Sequence, residues 1–588
     1  MHIDVGTIFF GLRLRFRHIF FVMILFAAKG NHVEGLTPFR CASGNMIAHS
    51  NRSSTATACH GVEGDECNYK CNSGYLAIGR HVCQSYEVAG QLVIDRSFSG
   101  GRCVKLCGLS PGDWSCEAGL VPVRVNISGT DSLPCLSTTC HTPMEALGKL
   151  SRGNWEVWKL GRDDLTGMYI DHVNPLVPKA AQQVAMASID GAGPGLAMEC
   201  VAAALGYQTN EEAASRVLVT LQSLTNRTSG FRVPRNQFGW LPTFIDPANG
   251  HCLVGPGSSV GCEFSTDSTA FNTAGVLFAK TFFEREAPGS ATTLQITSLA
   301  MELFDAVQWS MLFCSGTGMT PPYQNHVQAT GPLVPWLYNS STGCRDSFGP
   351  APDGMYYYSE MHWLAWLAYQ SECGGKKNCS SATPVHQLFR SWQDRASAPN
   401  FWYSSRPLLT LWPSYVLQLP FYLVHPFNSD PRFVSLFRSQ WLAEWSYYNS
   451  SSLHAGEMGR YGVGAGPTAP WCAGTGYLAD KIANDSTSQT CRMYSPYAVA
   501  GYLPADPEGR VIPRHLLQLL AAGEAVLPVV GTRGLFVLWR KSMLDPGWQP
   551  VPEGATWPGK DPGYDITFVD FSAEIFVLST LWLGADFS

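Results

Sequence analysis

Cysteine is distributed so unevenly that it divides the chain. Ten of the 19 cysteines lie between Cys41 and Cys140, and the other nine are scattered over the rest of the 588 residues. A segment that dense in cysteine folds around disulfides rather than around a large apolar core, and it implies an oxidising compartment. The odd total leaves at least one thiol free or joined to another chain. The sequence ahead of it agrees. Arg13, Arg15, Arg17 and His18 form a basic stretch before ten apolar residues at 19–28, with small residues at Ala27, Ala28 and Gly30. This pattern predicts a signal peptide over 1–30, an uncleaved signal anchor being the alternative. Seven Asn-x-Ser/Thr sites, at Asn51, Asn126, Asn226, Asn339, Asn378, Asn449 and Asn484, fit a glycosylated protein that is secreted or held at the cell surface.

Composition narrows the class. Charged residues make up only 15% of the chain, aromatics make up 12%, and there are 18 Trp, which describes an ordered protein with an ample core. A net charge of -6 with no basic patch argues against nucleic acid as a partner. There is no Gly-x-Ser-x-Gly elbow and no P-loop, and the glycines at 462, 464 and 466 follow no βαβ pattern. His362 has no second histidine at a zinc-binding spacing, so no metal or other cofactor is expected. The longest later apolar run, 408–424, is broken by Pro413 and Pro420 and reads poorly as a membrane span.

Three regions follow the first 30 residues. In 36–107, short alternating stretches and glycines lie between cysteines, and Cys71-Asn-Ser-Gly-Tyr75 leads on to Cys83 and Cys103. This region resembles a sushi (complement control) module without its closing tryptophan, which implies a binding or spacing role and contact with a cell surface or matrix. Cys67-x-x-x-Cys71 is also a zinc spacing, though oxidising surroundings favour disulfides. A connector, 108–141, carries Cys116 and Cys135. From 142 to 588 apolar residues recur at helical spacing, separated by Gly, Pro and Asn. Helices are predicted at 196–205, 210–224, 268–285, 292–311, 359–371, 384–396, 431–448, 497–500, 513–525 and 572–583, with a strand-like piece at 534–539. The fold class expected is mainly α: a barrel of paired helices, or alternatively a solenoid, behind a small disulfide-rich β module.

One stretch of this body carries chemistry. Tyr356-Tyr357-Tyr358-Ser359-Glu360-Met361-His362-Trp363 places a carboxyl where aromatic residues run into a helix. A helix start lowers a carboxyl pKa, and burial among rings raises it. A general acid near neutral pH needs burial to prevail. The plainer alternative is a glutamate held at a helix start by the dipole alone. Tyrosine and tryptophan also suit sugars, whose rings have apolar faces and hydroxyl rims.

Several blocks, in order, resemble the glycoamylase-like family of (α/α)6-barrel proteins, which includes enzymes acting on β-1,2-glucans. They are Ala187-Ser188-Ile189 with Gly193-Pro194-Gly195-Leu196, then Gly206-Tyr207 and Glu211-Glu212, then Gly239-Trp240 with Phe244-Ile245-Asp246. Glu263-Phe264-Ser265-Thr266 with Thr269-Ala270, Trp309 and Tyr358-Ser359-Glu360 follow. The last are Gly456-Glu457 with Tyr461-Gly462, Ser495-Pro496-Tyr497 with Gly501-Tyr502-Leu503-Pro504, and Val569-Asp570.

The resemblance implies an (α/α)6 toroid and a glycosidase site taking an oligo- or polysaccharide. An inverting enzyme needs a protonated carboxyl for the leaving oxygen and a carboxylate to activate water, roughly 6.5–9.5 Å apart. By this resemblance Glu360 is the general acid, and Asp570 and Glu263 are candidates for the base. Asp267, Tyr358, Trp309, Trp363, Glu457 and Tyr461 are candidates for substrate binding. Asp570 could equally cap the helix that follows it. The chain also departs from the family. Ser268 stands where relatives have an Asp, with Asp267 one residue earlier, and on a helix that shift turns a side chain by about 100°. The segment Gly464-Ala465-Gly466-Pro467 lacks the family's acid, and Phe571 replaces a glutamine. These losses leave open a second reading, a carbohydrate-binding or adhesive protein with a decayed site.

Overall fold

The computed structural model describes residues 46–48, 50–61, 65–72, 75–78, 81–88, 91–99, 102–105, 120–129, 132–173, 175, 179, 186–253, 262–309, 334–339, 343–348, 361–373, 413–450, 462–467, 477–479, 493–506, 511–521, 526–527, 535–538, 541–542, 566–568 and single positions from 571 to 583. The cysteine-rich head is built of strands. β1 (Glu66–Cys67), β3 (His81–Val88) and β4 (Gln91–Ser99) form one antiparallel sheet, and β2 (Tyr75–Ile78) pairs with β5 (Arg102–Lys105). Its core is small: Ile47, Cys59, Cys67 and Cys83, with Tyr69 against them. Cys59 is bonded to Cys67, and Cys71, Cys83 and Cys140 are also in disulfides. Cys67 and Cys71 therefore have no thiolates to offer zinc. The hairpin of β6 (Val121–Gly129) and β7 (Ser132–His141) joins the head to the body.

Beyond Thr142 the described chain is mainly helical. The helices are α1 (Pro143–Gly161), α2 (Ile189–Ala204), α3 (Asn210–Leu224), α4 (Thr266–Glu286), α5 (Ala291–Asp305) and α6 (Met361–Cys373). Then come α7 (Tyr415–Leu423), the short α8 (His425–Ser429), α9 (Pro431–Ser450), the short α10 (Pro496–Ala500) and α11 (Val511–Ala521). A C-terminal helix includes Phe568, Phe571, Glu574, Phe576, Leu578, Ser579 and Leu583. The helix predicted at 384–396 lies outside the described residues. α1 lies outside the predicted helices, and α7 falls within the apolar run 408–424 that Pro413 and Pro420 interrupt.

Burial sorts these helices into two rings. In α2 every residue from Ile189 to Ala202 except Asp190 is buried, as are 266–276 of α4 and all of α10. A helix covered on all sides belongs to an interior. By contrast, α3 buries one stripe (Ala213, Val217, Thr220, Leu221, Leu224), and α5 buries another (Thr293, Ile296, Leu299, Ala300, Leu303). A single stripe faces an inner ring, with the other side in water. The inner set includes α2, α4, α7, α10 and the C-terminal helix, whose described side chains are buried except Leu583; α3 and α5 lie outside it. The architecture is the (α/α)6 toroid, preceded by the disulfide-rich β module.

The seams explain why this sequence closes. α2 and α4 approach so closely that a Cβ on Gly275 would collide with the Gly193 carbonyl, and one on Gly193 with the Phe271 carbonyl. The ring shuts where α1 meets the C-terminal helix. Trp158 stacks on Phe568 at 4.2 Å, and Gly161 leaves room for the Phe568 ring. There β8 (His172–Val173) pairs with Ile566–Thr567. Glu574, fully buried in this seam with Asn154 as its polar neighbour, has its carboxyl pushed well above the usual range by burial. Phe278, Tyr422 and Phe576, from three inner helices, fill the middle of the barrel. A buried ion network fastens α1, α2 and α3: Glu199 accepts from Tyr169 Oη (2.8 Å), Arg216 Nε (2.8 Å) and Gln208 Nε2 (2.8 Å), with Arg162 Nε at 3.4 Å. Burial, then the charge of Glu199, raises the Tyr169 phenol well above its ordinary value. In the body Cys252 is bonded to Cys262, and among the described residues Cys200 is a free, buried thiol.

The α2–α4 seam gives a direct test. Gly275→Ala is expected to overpack it and cost about 1–3 kcal/mol, measured as a fall in thermal midpoint, with the helical circular-dichroism signal kept below the transition.

Candidate active site

A helix start buried inside a protein needs acceptors for its free N–H groups. The inner helices find theirs on one rim. β9 (Ala187–Ser188) runs into α2, and Ser188 Oγ accepts from Gly191 N (3.1 Å); β11 (Phe264–Ser265) runs into α4, and Ser265 Oγ accepts from Ser268 N (3.2 Å). Short backbone pairings link these starts. Ile170 bridges Ala187, β9 pairs with β10 (Phe244–Ile245), and Thr243 N donates to Glu263 O (3.1 Å). Phe568 N, at the start of the C-terminal helix, donates to Asp171 O (3.2 Å).

The same rim carries the other starts. Ser414 N, before α7, donates to Val463 O, and Ser495 N, before α10, donates to Gly462 O. The strand Ala465–Pro467 lies against Ile566–Thr567 and accepts from Tyr497 Oη at Ala465 O (3.0 Å). The amino ends of α2, α4, α7, α10 and the C-terminal helix thus share one end of the toroid. Their dipoles favour anions there.

The predicted site residues fall as follows. Asp267 is buried in the first turn of α4, with Ser268 N donating to its Oδ1 (2.8 Å), and Ser268 itself is fully buried. Glu263 is half-buried immediately before β11. Both therefore lie on the rim. Trp309 does not line it: the ring is buried against Phe304, and its Nε1 donates to Phe304 O (3.1 Å). Glu360, Tyr358, Asp570, Glu457 and Tyr461 lie outside the described residues. Trp363 is the third residue of α6, and its side chain lies outside the description. The helix predicted at 359–371 is described over Met361–Cys373, and 359–360 lie outside the described residues. Phe571 is buried against Tyr497 as a packing residue. Among the described residues no group of three metal-binding side chains occurs.

Two rim carboxyls escaped the sequence reading. Asp190 occupies the first turn of α2, as Asp267 does that of α4; the shared Ser-x-Asp of 188–190 and 265–267 was the available signal. The other is Glu444 of α9. It is 1% exposed and is ringed by Tyr502 Oη (2.7 Å), Ser414 Oγ (2.8 Å), Gln440 Nε2 (3.0 Å) and Val463 N (3.4 Å). Burial raises its pKa to about 7, although these hydrogen bonds pull the other way. The geometry favours the neutral acid too. Ser414 Oγ also lies 2.7 Å from Val463 O, so its single proton cannot serve both oxygens. A protonated Glu444 can donate to Ser414 Oγ while Ser414 donates to Val463 O. The sequence signal was a carboxyl on an apolar stripe, since Phe437, Trp441 and Glu444 recur at helical spacing.

No protein-family model matches the chain, and no curated protein matches it significantly. Solved structures do share its fold. A candidate glucoamylase from Bacteroides caccae superposes with a TM-score of 0.53 at 16% identity, covering 76% of this chain and 94% of its own. A second candidate glucoamylase, from Bacteroides uniformis, gives 0.52 at 14%, covering 76% and 93%. A β-1,2-glucanase from Parabacteroides distasonis gives 0.51 at 12%, covering 88% of this chain and 69% of its own. At such identities the likeness establishes the architecture.

Glu444 makes stability depend on pH with a definite sign. The folded carboxyl holds its proton up to about pH 7, against an ordinary 4.5. Its stabilising contribution is complete below the unfolded value and is lost as pH rises through the folded one. Glu444→Gln mimics the protonated acid at every pH. Wild-type stability relative to this variant is expected to fall by about 3 kcal/mol between pH 4.5 and 7.5, as read from denaturant melts across that range.

Proposed function

We propose that the chain is a glycoside hydrolase or transglycosylase acting on a glucan by an inverting acid/base mechanism. The observation that carries this reading is the toroid itself, shared over most of both chains with structures that include a β-1,2-glucanase and candidate glucoamylases. Glu360, one residue before the described start of α6 in the chain, is proposed as the proton donor to the leaving oxygen. Asp570 and Glu263 are proposed as the carboxylates from which the base is drawn. Asp267 and the aromatic residues around Glu360 would hold the sugar. Opposed demands on pKa divide the work: a helix dipole keeps a base ionised, and burial among rings keeps an acid protonated.

The expected compartment is the secretory route, and the Cys59–Cys67 and Cys252–Cys262 bonds support it. No helix among the described residues is long and apolar enough to cross a membrane. The sushi-like head is proposed as a surface- or matrix-contacting module.

A second reading is kept because of a specific observation. The rim segment Gly464-Ala465-Gly466 offers no acid, and Phe571 is buried packing. A non-catalytic carbohydrate-binding protein would show that loss. The test is incubation of the secreted protein with β-1,2-, other β-linked and α-linked glucans, wild type beside Glu360→Gln. The hydrolase reading expects reducing ends from at least one glucan and a loss of about 10²–10⁴-fold in the variant. Full activity in the variant would remove Glu360 as the acid, and binding without release would favour the second reading.

A further inference from the structure

Glu444 touches more of the rim than its place in α9 suggests. Its carboxyl joins four separate parts of the chain: the start of α7 through Ser414, α9 through Gln440, the segment at Val463, and Tyr502 just beyond α10. Val463 is the point of interest. Its carbonyl accepts both the N–H (2.8 Å) and the hydroxyl (2.7 Å) of Ser414, while the preceding Gly462 accepts from Ser495 N (2.9 Å). Gly462–Val463 is therefore a rung laid across the starts of two inner helices, with Glu444 beneath it. The rung lies close against the start of α10. A Cβ on Gly462 would collide with the Ser495 carbonyl, and Gly462 has a φ of +128°. The backbone is left-handed here, and only glycine adopts it readily.

We infer that Glu444 is a positioning residue for the sugar site: its carboxyl, through Ser414 and Val463 N, fixes the height at which the 462–466 segment crosses the rim. The inference rests on the glucan reading above and deepens it. Glu444 is buried, so it acts through the groups it touches. Its effect passes through the segment that follows Glu457 and Tyr461 in the chain, two residues proposed to bind sugar. A carboxylic acid suits the task because it can donate to Ser414 Oγ from one oxygen and accept from Tyr502 and Gln440 at the other. Glutamine keeps the donation to Ser414 Oγ and the acceptance from Tyr502 and Gln440, losing only the long contact from Val463 N (3.4 Å), whereas alanine leaves several buried donors without an acceptor.

The test compares Glu444→Ala, Glu444→Gln and Ser414→Ala with a stability control remote from the rung. Thr220→Val serves as that control, because it removes a buried hydroxyl that donates to Gly167 O (2.9 Å) in an outer helix. KM and kcat are measured on the glucan that wild type cleaves, or Kd by calorimetry where it binds without turnover, beside thermal midpoints. Glu444→Ala is expected to raise KM or Kd at least tenfold, with a smaller change in kcat. Glu444→Gln is expected to bring it back to within about threefold. Ser414→Ala, which keeps the carboxyl and needs less repacking, is expected to raise it threefold or more. Thr220→Val should lower the midpoint without this rise. Equal changes in all variants at equal loss of midpoint would overturn the assignment, as would a glutamine variant as weak as the alanine one. A wild type that neither cleaves nor binds any glucan would overturn the functional reading and this assignment with it, whereas unaltered binding in Glu444→Ala and Ser414→Ala would overturn the assignment alone.

Discussion

Helices packed inside a ring of other helices cannot leave their first N–H groups to water. That requirement organises this protein. α2, α4, α10 and the C-terminal helix start behind short strands, and Ser188 and Ser265 supply hydroxyls to the buried first turns of α2 and α4. The consequence is an asymmetric toroid. Apolar rings such as Phe278, Tyr422 and Phe576 meet in its middle, while hydroxyls, backbone donors and carboxyls collect at one end. A polar rim over a dry core is what an acid/base site on a sugar needs, because the dry side sets pKa values and the wet side admits the chain.

The carboxyls on and under that rim sort by surroundings. Asp190 and Asp267 lie in first turns, where the dipoles and a local N–H stabilise the anion. Glu444 lies one layer deeper, where burial outweighs four hydrogen bonds and favours the neutral acid. A helix start and burial act in opposite directions on a carboxyl, and a general acid and a general base differ in the same way. Glu444 is not offered as either. Burial pushes its carboxyl up to about 7.

Sequence and structure agree most closely where local signals and packing coincide. α3 is predicted and observed at Asn210–Leu224, because Thr209 and Glu212 form a reciprocal capping box at its start. The Cys-rich head was legible because cysteine spacing alone implies bridges. α1 lies outside the predicted helices because Gly148, Ser151, Gly153 and Asn154 interrupt its apolar spacing; Gly153 is required by the backbone of Phe536 packed against it, a reason visible only in three dimensions. α7 was missed because Pro420 lies inside it, and burial on both sides overrides the cost of that proline. Trp309 illustrates the reverse error. An aromatic residue in a matching block suggested a sugar platform, but the ring fills the core behind α5. Glu444 was missed because a charge in an amphipathic helix ordinarily marks its wet face, and only the α7 and 462–466 segments packed over it show otherwise.

The central claim is that sugar binds where the inner helices begin. Backbone hydrogen–deuterium exchange, with and without a glucan oligosaccharide, tests it directly on the whole chain. The account expects added protection at 186–190, 241–246, 263–268, 413–418, 462–467 and 493–498, all at one end of the toroid. Protection confined to the cysteine-rich head, or to the carboxyl ends of the same helices, would contradict it.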